Sequence, residues 1–480
     1  MKIPPSLSIY LRILVVSLFV ALLGLSARPH AAARLLENAR QSITSGDLLT
    51  ASKALAGVTE YFPWRYELNL AAGRFAMQAG DPKQAIQYLE RPGTISHLSY
   101  DDMILLGDAY NQSGDPFMAK AIWERVTELD DSSQADERLA KLYLQRKDYP
   151  HAIAELQNIL SKKPSDIPRY YQIGSLYAAT DPSKSLPFLI QAAEIDPNNG
   201  TRAQTLHNKI RTASLFNEPS YTLLIAGRQL ADWGEWELAA EAFHNATVLR
   251  PEYADAWAFL GEARQQLSLM ETNPVSDAGY AELYHALQID PKSTLANTFM
   301  GLYWERQGDY LQANNYIERA ITASPNDPFL HSELGNILAK MGDLPAAQSA
   351  YEAAIQLTPQ DPLFYRLLAE YALQYQIQTR ELALPAARQA ISLDPGNASS
   401  LDVMAQVMLM LEDYHSAERF AQSALQVDPG FTAAYLHLGM AYAYLQEPDL
   451  ARQWLNQAKI ANPDSWIATQ AKRMLEYYFP

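Results

Sequence analysis

The chain has 480 residues, 48% of them hydrophobic, with 54 acidic against 38 basic residues and a formal charge of −16. This acidic balance, with no basic run interleaved with aromatics, argues against nucleic acid as a partner. The absence of cysteine excludes disulfides, thiolate metal sites and a cysteine nucleophile.

The first 31 residues differ from all that follow. Lys2 and Arg12 precede an apolar run from Ile13 to Ala27, interrupted by Ser17, Gly24 and Ser26. If the Arg12 side chain snorkels, the span reaches back to Leu7, and residues 7–27 are then long enough to cross a bilayer. Residues 1–31 therefore read as an uncleaved signal anchor. A cleaved signal peptide, with Ala31-Ala32-Ala33 as the better small-residue site, and a buried helix remain open. Lys2 and Arg12 on one side nearly balance Arg28, Arg34 and Arg40 on the other. Orientation rests on the tendency of short N-terminal tails to stay cytoplasmic. The expectation is a single-pass membrane protein whose remainder is extracytoplasmic, or a secreted one if the segment is cleaved.

From residue 32 the chain is periodic. Pro291, Pro325 and Pro359 are spaced by 34 residues, as are Pro395, Pro429 and Pro463, and Pro63, Pro164, Pro197 and Pro251 continue the series upstream. A fixed period of this size means one short supersecondary unit stacked many times. Residues 32–197 read as five units. Residues 198–219 are extra and suggest a linker with one helix around Arg202 to Ser214. Residues 220–463 read as seven units, and 464–480 as a final helix capped by Asp464 or Ser465. In that helix Trp466, Ala471, Met474 and Leu475 are expected to cover the end of the last unit. The spacing slips at three places: six extra residues near Glu271 to Pro274, two near Gln376 to Thr379, and one missing at Thr180-Asp181.

Within the units a second pattern keeps register. Leu106-Gly107, Tyr110, Gly114-Asp115, Ala119 and Trp123 form an early copy. Met300-Gly301, Gly308-Asp309, Ala313 and Ala320 form another, and Leu334-Gly335, Gly342-Asp343, Ala347, Tyr351 and Ala354 the next. The clearest is Tyr435, Leu438-Gly439, Tyr442, Ala451, Leu455, Ala458 and Pro463; weaker copies carry Asn38-Ala39 and Met404-Ala405. The large residue, the Leu-Gly pair and the tyrosine share one face of a first helix. Glycine permits close approach of a second helix, which proline ends. This pattern resembles the tetratricopeptide repeat. The resemblance covers almost all of the chain beyond residue 31 and implies an all-α fold: a right-handed α-solenoid of about twelve helix pairs plus a C-terminal capping helix.

The resemblance also implies that first helices line a concave groove, and register then places particular side chains in it. In residues 32–197 these are Arg74, Gln78, Asp108, Asn111, Lys141 and Gln145. Further on they are Arg228, Asp232, Glu262, Gln266, Glu305 and Arg306, followed by Asn336, Lys340, Arg366, Glu370 and Gln406. Tyr171, Tyr221, Phe329 and Tyr444 fall in the same register as aromatic anchors, whereas Trp123, Trp257, Trp304 and Trp454 read as core. The family's clamp for a C-terminal carboxylate is not completed, since Asn336 and Arg366 stand alone with Ser332 where a lysine is required.

Catalytic motifs are missing. The sequence contains no HExxH, GxxxxGK[ST], GxSxG or GxGxxG, and none of its nine histidines lies three or four residues from another. The expectation is a non-enzymatic, cofactor-free, membrane-anchored scaffold that binds a protein or peptide in its groove. The alternative is a structural accessory subunit of a cell-envelope assembly or export complex.

Overall fold

The computed structural model describes residues 30–479; the anchor expected at 7–27 lies outside the described residues. All regular structure among them is helical, with no strand, and no helix is long and apolar enough to cross a membrane. The chain divides into two compact units, residues 1–218 and 219–480.

In the first unit the helices are α1 (30–45), α2 (Leu48–Val58), α3 (Tyr66–Gln78), α4 (Pro82–Leu89), α5 (Tyr100–Gln112) and α6 (Pro116–Leu129). They continue with α7 (Gln134–Gln145), α8 (Tyr149–Lys162), α9 (Ile167–Thr180), α10 (Pro182–Ile195) and α11 (Gly200–Ser214). The second unit begins with α12 (Pro219–Asp232), α13 (Trp236–Leu249), α14 (Ala254–Leu269), α15 (Tyr280–Ile289), α16 (Thr294–Arg306), α17 (Tyr310–Ala323) and α18 (Pro328–Lys340). It ends with α19 (Leu344–Leu357), α20 (Pro362–Gln374), α21 (Leu384–Leu393), α22 (Ala398–Met410), α23 (Tyr414–Val427), α24 (Thr432–Tyr444), α25 (Pro448–Ala461) and α26 (Trp466–Tyr478). Within each unit every helix from α2 onward packs on its chain neighbours, which is the organisation of an α-solenoid.

Three local rules recur through the pairs. The first is a glycine-to-bulk contact sixteen residues apart. A Cβ added at Gly335 would meet the Tyr351 ring at 2.9 Å; at Gly301 it would meet Ile317 at 2.8 Å, and at Gly439 Leu455 at 2.7 Å. Where alanine replaces glycine at 405, the facing residue is itself small, Ala421, in the same core cluster. The second rule concerns the Gly-Asp turn. Gly342 has φ +87°, a conformation costly for a residue with a Cβ. The following Asp343 caps the next helix by accepting from the Ala346 N–H at 3.2 Å. Asp47, Asp81, Asp115, Asp309 and Asp413 cap in the same way.

The third rule is a latch that the sequence pattern did not reveal. The large residue early in a first helix donates back to the carbonyl of the proline six residues before it. Trp257 Nε1 reaches Pro251 O at 2.8 Å, Tyr365 Oη reaches Pro359 O at 3.2 Å, and Tyr435 Oη bonds Pro429 O. His331 Nε2 contacts Pro325 O at 2.9 Å, and Asn297 Nδ2 donates to Pro291 O at 3.1 Å. The proline thus ends one pair while its carbonyl fixes the next.

The spacing slips are absorbed where they occur. The six-residue insertion makes a loop from 270 to 279 and shortens α15, while Gly279 (φ +79°) approaches the Gly261 backbone too closely for any side chain. The two extra residues become a π-helical turn, Thr379–Ala383, entered through Gln376 and Gln378 at positive φ. At the one-residue deletion Asp181 serves as both the last residue after α9 and the first before α10.

Both units close with an unpaired helix. In α26, Ser465 caps the N-terminus, Ala468 and Ala471 are buried, and Met474 and Leu475 pack on Leu436, Leu455 and Ala458. Trp466 does not cover this end as expected: it is 66% exposed, and Ile467 takes the place, because the capping serine turns position 466 outward. The extra helix α11 packs on α9 and α10 as α26 packs on α24 and α25. Its buried Ala203, Leu206 and Ile210 close the first unit.

Candidate partner-binding face

Each unit has an inner face. Contacts between helices two apart are made by first helices: α3 with α5 and α9 with α11 in the first unit, and α14 with α16, α18 with α20, α20 with α22 and α22 with α24 in the second. First helices therefore approach one another more closely than second helices do, and their shared side is the inner one.

In the first unit this face holds a cavity of about 640 Å³ lined mainly from α5, α7 and α9, with Trp123 of α6 and Leu156 and Ile159 of α8 also lining it. It is within the usual size of a ligand pocket. Four of the expected groove residues, Asp108, Asn111, Lys141 and Gln145, line it together. So do Arg138, Glu137, Arg169 and Gln172, which register reasoning passed over. The Arg138 guanidinium forks onto Asp108, Nε to Oδ1 at 3.0 Å and Nη2 to Oδ2 at 3.1 Å. Arg169 is held by Asp166 at 3.2 Å and Gln172 at 2.8 Å. The exposed Lys141 ammonium makes no ion pair among the described residues. Arg74 lies apart and has a structural role. It bonds the almost fully buried Asp102 at 2.8 Å, which also closes a capping box with Ser99. Burial alone would raise the Asp102 carboxyl, but the hydrogen bonds from Arg74 and Ser99 outweigh it and hold it below the ordinary value.

In the second unit the expected residues form a ladder across repeats. Arg306 donates to Glu262 at 2.7 and 2.8 Å and to Gln265 at 2.7 Å, bridging α16 to α14. Glu305 accepts from Asn336 at 2.8 Å and Lys340 at 2.6 Å, bridging α16 to α18. Arg366 pairs with Glu370 one turn along α20, at 2.6 Å. Gln266 donates to Glu262 at 2.7 Å, and Gln406 to Asp402 at 3.2 Å. Asp402 in turn holds the buried His437 at 2.7 Å. Arg228 lies over the Phe259 ring, 5.4 Å from its centroid. Gln78 and Asp232 are exposed at the ends of their helices. Among the aromatic anchors, Phe329 is 56% exposed and edge-on to Phe364, Tyr444 stacks on Tyr414, and Tyr171 and Tyr221 are half-buried.

Three of the residues that sequence reasoning missed are Arg138, Glu333 and Phe259. Each lies three residues before an expected groove residue (Lys141, Asn336 and Glu262), hence on the same helix face one turn earlier. That spacing was the available signal. No group of residues able to hold a metal ion occurs among the described residues.

The tetratricopeptide repeat profile matches residues 306–371 and 408–473, so these stretches are tetratricopeptide repeats. No curated protein matches the chain. Among solved structures, yeast Tom70 is similar at 14% identity and a TM-score of 0.44, covering 94% of this chain and 96% of that one. The Cut9–Hcn1 hetero-tetramer of the APC/C is similar at 12% identity and 0.40, with 94% and 96% covered. YrrB, described as a TPR protein with an unusual peptide-binding site, is similar at 17% identity and 0.30, covering 40% of this chain and 97% of its own.

Proposed function

We propose that this chain is a non-enzymatic scaffold whose inner faces bind an extended segment of another protein. The observation that carries the reading is the first-unit cavity, with Lys141 unpaired beside the Arg138–Asp108 fork. A preformed recess with mixed donors and acceptors offers a partner several polar contacts, each worth roughly 0.5–1.5 kcal/mol net. Such a site needs no cofactor.

Lys141 and Asn111 are exposed, so replacing both by alanine removes recognition without removing core. Affinity capture on residues 32–480 identifies the partner. Lys141→Ala with Asn111→Ala is expected to weaken it about tenfold or more, consistent with loss of two such contacts. Arg319→Ala with Arg388→Ala, on the second helices α17 and α21, is the control and leaves binding unchanged. Equal affinity in both double variants refutes the groove reading.

The segment 7–27 completes the proposal as a signal anchor holding the repeats at a membrane, on its extracytoplasmic side. Deleting residues 1–31 is expected to move a folded protein into the soluble fraction. Protease outside intact cells digests the repeats if they face outward, and protection until lysis reverses that topology. The self-satisfied ladder Arg306–Glu262 and Lys340–Glu305 favours a second reading for the second unit, a stiff structural part of a cell-envelope assembly.

A further inference from the structure

The two units differ in charge. Of the 54 acidic and 38 basic residues, 31 and 15 lie in 219–480, leaving 23 of each in 1–218. The entire formal charge of −16 therefore resides in the second unit.

Its inner face shows what this excess does locally. Along α14 to α20 the basic side chains are already committed: Arg306 to Glu262, Lys340 to Glu305 and Arg366 to Glu370. Two half-buried carboxylates on the same helix faces remain without an ion pair among the described residues: Asp255, two turns before Glu262 on α14, and Glu333, one turn before Asn336 on α18. Burial pushes the Glu333 carboxyl upward, and Glu305 adds to the rise against the opposing pull of Lys340, Arg306 and Asn336. Burial also raises Asp255, with Asp290 adding and Arg228 opposing. Each is a desolvated acid facing a like charge, an arrangement that a cation from outside relieves. In chain order between them lie Phe259 on α14 and Phe299 on α16, whose rings meet edge-to-face at 5.4 Å, and Phe259 already carries the Arg228 guanidinium over its face. Carboxylates interleaved with aromatic rings suit arginine and lysine side chains.

We infer that the inner face of residues 219–480 seats an extended basic peptide segment, with one cationic side chain received by Asp255 and another by Glu333. The inference rests on the inner-face reading above and assigns the chemistry of its occupant. The two carboxylates lie two first helices apart. At roughly 8–10 Å between packed axes and about 3.3 Å per extended residue, the two cations are about five or six residues apart in the partner.

The probe is a fluorescein-labelled peptide with two arginines in that spacing, titrated into the full chain and read by anisotropy. One comparison peptide has the arginines adjacent, and another has glutamate in their place. The expected order is spaced, then adjacent, with no binding of the acidic peptide, and affinity for the spaced peptide falls as salt rises. Asp255→Asn with Glu333→Gln keeps shape while removing both charges, and is expected to weaken the spaced peptide about tenfold or more. Glu318→Gln with Glu381→Gln, two exposed carboxylates outside the first helices, removes the same charge and leaves it unchanged. Absence of binding by the spaced peptide, equal binding of the acidic one, or indifference to the Asp255–Glu333 variant overturns the inference. None of these results touches the first-unit cavity, whose own variant tests the broader reading separately.

Discussion

Individual side chains in this molecule act through neighbours a fixed distance away. Gly335 is the clearest case. Its missing Cβ leaves room for the Tyr351 ring, so Gly335→Leu overpacks the pair and is expected to cost ~1–3 kcal/mol, read as a lower thermal midpoint. Arg306→Ala leaves the buried Glu262 carboxylate with Gln266 as its remaining donor, and is expected to destabilise by about 1–3 kcal/mol. It therefore reports on stability before it reports on binding. Glu333→Gln works in the opposite direction. A carboxyl raised in the folded state binds its proton more tightly there than in the unfolded chain. It destabilises above the ordinary glutamate value of 4.5, and acid relieves it. At neutral pH Glu333→Gln is expected to melt higher than the parent, and the gap closes as pH falls through and below that value. A constant gap across the titration refutes this. The Leu-Gly contacts were legible in the sequence because both partners sit at fixed spacing. The pairing of Arg306 with Glu262, or of Arg138 with Asp108, was not, because it joins different repeats through side chains whose rotamers no periodicity specifies.

At the scale of the helix, ends carry most of the specification. The aspartate of each Gly-Asp turn is a cap as well as a turn residue. Asp343→Ala is expected to lower stability by about 0.5–2 kcal/mol, whereas Asp343→Asn retains most of it, as measured by thermal melting monitored at 222 nm. Capping helices matter for a different reason. Truncation after Asn462 removes α26 and uncovers Leu436, Leu455 and Ala458, so the shortened chain is expected to lose solubility and to fray at α24–α25 in hydrogen exchange. The positions of the extra residues were readable from broken proline spacing. Their forms, a loop from 270 to 279 and a π-helical turn at 379–383, were not, since the same surplus can be housed in either way.

Among the described residues all regular structure is helical, and far-ultraviolet circular dichroism is expected to show a helical spectrum without a β component. Periodicity alone carried that conclusion, because a stacked short unit has few alternatives. The division of charge was also present in the sequence, but it becomes visible only once the boundary at 218/219 says where to count. Expressed separately, residues 30–218, with 23 acidic and 20 basic residues, and residues 219–480, with 31 and 15, are expected to elute far apart on anion exchange, the second at much higher salt.

The proline latch has a consequence for how such a chain changes length. In a simple periodic polymer, one inserted residue would shift every later contact out of phase. Here several pairs take their starting point from the carbonyl of the proline just before them, as Trp257 does from Pro251, Asn297 from Pro291, Tyr365 from Pro359 and Tyr435 from Pro429. The six residues added near 271 and the two near 377 accordingly leave Met300-Gly301 and Leu438-Gly439 facing their proper partners, Ile317 and Leu455. The array behaves like text with punctuation: a miscopied word spoils one clause, and the next begins afresh.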